Sequence, residues 1–107
     1  MYTTLISVEQ LRQTQEQGRP LMVFDCSFDL MKPEAGEQQY LGAHVSGAVY
    51  AHLDTALSAK GDPTAASGGR HPLPSRERFA AWLSSVGFAN NMQAVVYDRQ
   101  GANYCGR

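Results

Sequence analysis

Ala94-Val95-Val96-Tyr97 is a short apolar run that stops at Asp98 and opens into Arg99-Gln100-Gly101-Ala102-Asn103. A strand that ends in a Gly-bearing loop ahead of a helix turns successive backbone N–H groups inward. The pocket so formed suits an anion or a thiolate. Here the first loop position, Asp98, is a carboxylate and not a thiol. It brings its own negative charge and is expected to accept the converging N–H groups itself, leaving the loop filled from within.

Asp25, Asp54 and Asp98 each follow an apolar or strand-like segment, so a parallel sheet would bring them to one rim. The two cysteines, Cys26 and Cys105, are far apart, and neither a disulfide nor zinc is expected, because Cys-x-x-Cys and His-x-x-x-His spacings are absent. Cys26 follows an apolar run and reads as a small buried hydrophobe. Cys105 would gain reactivity only beside a helix N-terminus. His44, between Ala43 and Val45, is expected to bond backbone near Gly47, and Arg99 has no obvious partner.

The elements that must hold these residues are legible from local signals. Ser7-Val8-Glu9-Gln10 has the form of a capping box and begins a short helix that ends at Gly18. Leu21-Met22-Val23-Phe24, closed by Asp25, reads as a central strand buried on both faces. Between Ser27 and Gly42 no period holds, and one helical turn is expected at Glu34 to Tyr40. Gly42 to Tyr50 turns into a short strand. Residues 58–70, with three glycines and a proline, form a long loop. Ser75 caps a helix carrying Phe79, Trp82, Leu83 and Val86 on one face, stopped by Gly87. Asn90-Asn91 turns the chain into the strand Ala94 to Tyr97. Strand and helix alternating in this order predict an α/β fold with a parallel sheet covered by helices.

At 107 residues, with 43% hydrophobic and 18% charged residues, the chain holds one domain at most. A net charge of −1 gives no electrostatic drive toward nucleic acid or an anionic membrane. No apolar run approaches a membrane span, and Met1-Tyr2-Thr3-Thr4 lacks the regions of a signal peptide, so the cytoplasm is the expected compartment.

Three blocks in order resemble the rhodanese family of sulfurtransferases. They are Val23-Phe24-Asp25-Cys26-Ser27, Gly42-Ala43-His44-Val45-Ser46-Gly47-Ala48-Val49, and Arg70-His71-Pro72-Leu73-Pro74 with the following helix and Val95-Val96-Tyr97-Asp98. The likeness is to the N-terminal domain of the two-domain thiosulfate and 3-mercaptopyruvate enzymes and runs from about Ile6 to Arg107. It implies a rhodanese-like three-layer sandwich, with residues 1–107 a partial N-terminal domain whose sheet lacks cover at its C-terminal side.

In catalytic domains of that family the loop begins with Cys, commonly followed by Arg, a variable residue and Gly. Here Asp98, Arg99 and Gly101 form its degenerate counterpart, and independent turnover is not expected. The resemblance places Asp54 and His71 in supporting catalytic roles, facing the active site of a C-terminal rhodanese domain. A carboxylate beside an imidazole can fix its tautomer and raise its basicity. Arg70 would contact a small anionic sulfur donor through its guanidinium fork. No cofactor and no metal are implied. Exposed apolar faces would favour a homo-oligomer. The alternative is a stand-alone inactive rhodanese-like binding module, which a stop codon after Arg107 would support.

Overall fold

The computed structural model describes residues 3–106. Three parallel strands form the sheet, β1 (Leu21–Asp25), β2 (Val49–Tyr50) and β3 (Gln93–Tyr97), in the order β2-β1-β3. Phe24 pairs with Val49 on one side and Val96 on the other, which makes β1 the central strand its apolar run predicts. All three strands end on the same edge of the sheet.

Helix α1 (Val8–Glu16) starts with the full capping box: Ser7 Oγ accepts from the Gln10 N–H, and the Gln10 side chain accepts from the Ser7 N–H. It ends two residues before Gly18, whose φ of +67° turns the chain toward β1. Helix α3 (Arg76–Ser85) is capped by Ser75, which accepts from the Arg78 N–H. Where one helical turn is expected after Pro33, the structure has a longer helix, α2 (Ala35–Gly42). Its apolar residues show no helical period, because it is fixed by a close approach and not by an apolar stripe.

That approach is at Gly36, which is buried. A Cβ there would run into the Ser27 carbonyl oxygen and crowd the Tyr50 hydroxyl, itself donating to Ser27 O at 2.8 Å. Gly36→Ala is expected to destabilise the fold by about 2 kcal/mol, the scale of forced overpacking. Urea denaturation would register this as a lower midpoint at unchanged slope.

The alternation of side chains along β1 divides the core in two. Val23 packs with Ala48 and Val95 on one face, against Leu11 of α1 and Tyr40 of α2. Phe24, Cys26 and Ala51 form the other face with Trp82, Leu83 and Val86 from α3 and its cap, and Phe24 lies 5.8 Å from Trp82 between ring centres. Helices on both faces of a parallel sheet give three layers, the expected α/β sandwich. Val96 of β3 remains 44% exposed, and Met31, Leu30 and Leu41 are exposed apolar residues elsewhere on the surface. Among the described residues, no helix is long and apolar enough to cross a membrane.

Candidate functional site

The three carboxylates lie at the carboxyl edge of the sheet, as the sequence suggests, but they enter three different environments. Asp98, one residue past β3, accepts four backbone N–H groups. Gln100 and Ala102 donate to Oδ1 at 2.9 Å each, and Tyr104 and Cys105 donate to Oδ2 at 2.8 and 3.0 Å. Gly101 (φ +64°) and Ala102 (φ +71°) adopt the left-handed backbone that aims these groups inward. For Ala102 that geometry is strained, and the carboxylate is what holds it. Burial alone would raise the Asp98 carboxyl, but the four donors outweigh it and hold it below its ordinary value. The anion nest expected from the sequence is therefore present and occupied by a side chain of its own loop.

Asp25, at the end of β1, is completely buried. The Tyr97 hydroxyl donates to Oδ2 at 2.9 Å, the Ser27 N–H to Oδ1 at 2.9 Å, and Arg99 Nη1 reaches Oδ2 at 3.1 Å. Arg99, for which the sequence offers no partner, thus closes a half-buried ion pair on the buried carboxylate. Its other nitrogen donates at 2.6 Å to the carbonyl of Ala43, which caps the C-terminus of α2. A cation there satisfies a carbonyl that the helix leaves unpaired. Burial would raise the Asp25 carboxyl, and its hydrogen bonds from Ser27, Tyr97 and Arg99 bring it below the ordinary value.

Asp54 lies in the turn after β2, where its N–H donates to His52 Nδ1 at 3.0 Å. Its Oδ1 meets Lys60 Nζ at 2.8 Å and His71 Nε2 at 3.3 Å. Neither contact makes a directed hydrogen bond to this buried oxygen, which is held by the Lys60 charge with the imidazole beside it. The structure therefore brings the expected pair, Asp54 and His71, together. Arg70 lines the same cleft of about 410 Å³ with Phe28, Leu30, Met31 and Pro33. One carboxylate, two fixed cations and an imidazole set against an apolar wall suit a small anion with a soft or apolar body.

Phe28, fully buried, joins this cleft to the Asp98 loop. Its ring contacts His71 at 6.4 Å and Tyr104 at 5.7 Å between ring centres, edge-on in both cases. The sequence gives no sign of Phe28 or Lys60, since each acts through a partner distant in the chain.

His44 departs from expectation. Its Nδ1 lies 2.6 Å from the Tyr40 carbonyl, not near Gly47, and its ring stacks on Tyr40 at 3.9 Å. The reason is helical spacing: at the end of α2 the carbonyl four residues back is within reach, and the chain has not yet turned at Gly47. Both cysteines are free thiols. Burial pushes the Cys26 thiol up to about 12, and burial with the adjacent Asp98 charge raises Cys105, so both environments disfavour the thiolate. No group of three or more metal-binding side chains occurs among the described residues.

A central parallel strand, helices on both faces and an anion nest following the last described strand define a three-layer α/β domain with its site at the carboxyl edge of the sheet. No family model matches the chain. Individual proteins do. SseB of Mycobacterium tuberculosis, provisionally named a thiosulfate sulfurtransferase, is 36% identical over 88% of this chain and 32% of its own length. Bovine thiosulfate sulfurtransferase is 29% identical over 92% of the chain and 32% of its own length. The solved 3-mercaptopyruvate sulfurtransferase of Leishmania major superposes with a TM-score of 0.72 at 29% identity, covering 89% of this chain and 25% of that one. The chain is similar to part of the rhodanese-like sulfurtransferases over most of its own length, and it spans about a third of the length of the curated relatives it matches.

Proposed function

We propose that this chain is the N-terminal, nucleophile-lacking part of a cytoplasmic two-domain sulfurtransferase that moves sulfane sulfur from thiosulfate or 3-mercaptopyruvate to a thiophilic acceptor. The observation that carries this is the Asp98 nest. Sulfane transfer needs a thiolate that attacks the outer sulfur of the donor and keeps it as a persulfide, while the bond to that sulfur breaks with its electron pair leaving on sulfite or pyruvate enolate. A carboxylate that already accepts four N–H groups neither attacks sulfur nor leaves those donors for a bound persulfide.

The working Cys then belongs to a C-terminal rhodanese domain. This chain supplies one wall of the interdomain cleft: Asp54 orients His71, His71 exchanges a proton with the leaving group or acceptor, and Arg70 draws the anionic donor. The exposed Leu30 and Met31 beside that cleft are the surface on which the second domain would rest.

The test is transfer to cyanide, measured as thiocyanate, by the complete gene product and by residues 1–107 alone. Activity is expected from the former with at least one of the two donors and none from the latter. Turnover by residues 1–107 would overturn the proposal.

A further inference from the structure

We infer that Lys60 is a positioning residue of the Asp54–His71 site, acting on His71 through the carboxylate that both share. This rests on the reading of that cleft as part of the sulfurtransferase site and adds a group to it. Lys60 lies in the long small-residue loop after β2, yet its surroundings there are specific. The Ala59 N–H donates to the Pro72 carbonyl at 2.8 Å, which ties the residue before Lys60 to the residue after His71. Ser58 and Ala59 are fully buried. The two segments are thus docked, and from them Nζ and Nε2 reach the same oxygen of Asp54, at 2.8 and 3.3 Å.

The physical consequence follows from how Oδ1 is held. It is buried and has no directed hydrogen bond, so its place is set by attraction to the two groups on either side. Lys60 makes the shorter contact and carries a full charge. Without it the carboxylate would keep only the imidazole, and would be freer to turn toward the backbone or solvent. The Asp54–His71 distance would then no longer be fixed. Misplacement of a proton-exchanging group by about 1 Å can cost on the order of a hundredfold in rate. Lys60 itself is 46% exposed, so its pairing contributes little to overall stability. Its effect should therefore fall on turnover and not on folding.

The experiment uses the complete gene product with thiosulfate and 3-mercaptopyruvate as donors, comparing Lys60→Met, Lys60→Arg, Asp54→Asn and His71→Gln with the parent. Lys60→Met is expected to lower kcat about tenfold with KM and melting temperature near parental values, and Lys60→Arg to recover most of the loss. A raised KM at unchanged kcat would overturn the inference by making Lys60 a direct contact of the anionic donor. A melting temperature that falls in step with activity would also overturn it, by making the residue structural, as would parental kinetics. If Asp54→Asn and His71→Gln themselves leave the kinetics unchanged, the reading of the cleft fails. If they impair turnover while Lys60→Met does not, only the role of Lys60 fails.

Discussion

Asp98→Asn is expected to destabilise the chain by about 3 kcal/mol, although it changes only one oxygen for an amide nitrogen. In the native loop each carboxylate oxygen accepts two backbone N–H groups. An Asn can serve one such pair with its carbonyl, but it turns an NH2 toward the other pair and leaves two donors facing a donor. The strained backbone of Ala102 then loses what fixes it. Urea denaturation measures the loss, and a change below about 0.5 kcal/mol, the ordinary surface-substitution scale, would contradict it.

The same residue predicts acid sensitivity. Asp98 and Asp25 both lie below their ordinary value of 3.8 in the folded state. A depressed carboxyl contributes stability that is complete above the unfolded value and lost as pH falls through the folded one. Unfolding free energy is therefore expected to hold near neutrality and to fall below about pH 4. The Asp98→Asn protein should show a shallower decline.

The second large effect is expected from Arg99→Leu. It strands the Asp25 carboxylate, which is completely buried, with neutral donors alone, from Ser27 and the Tyr97 hydroxyl, and it leaves the Ala43 carbonyl without its guanidinium. Breaking a fully buried pair costs about 3–5 kcal/mol, most of it the penalty of an uncompensated charge, and with the Arg99 side chain 31% exposed the loss here is expected at about 3 kcal/mol. The double variant Asp25→Asn/Arg99→Leu should therefore be more stable than Arg99→Leu alone. Additive losses in the double-mutant cycle would show that the two groups do not act as a pair.

Arg99 also shows where sequence reading stops. The capping box at Ser7, the apolar face from Phe79 to Val86, the central strand and the nest around Asp98 all depend on residues within a few positions of one another, and all are legible. The likeness to a known family brought Asp54 and His71 together from separate loops. The Asp25–Arg99 pair spans 74 positions, and nothing near either residue indicates the other. Lys60 sits in a stretch whose small polar residues read only as a loop. Gly36 matters because the Ser27 carbonyl lies against it, a contact between two segments without periodicity. The helix it anchors is accordingly longer than local signals suggest.

The central claim is that the loop at Asp98 is filled by its own carboxylate, so that sulfur is carried elsewhere. It is tested most directly by incubating the complete gene product with thiosulfate and locating the added sulfur by peptide mass spectrometry. The account predicts one extra sulfur on a cysteine outside residues 1–107, with Cys26 and Cys105 unmodified. A persulfide on either of those two cysteines, formed at the rate of turnover, would contradict it.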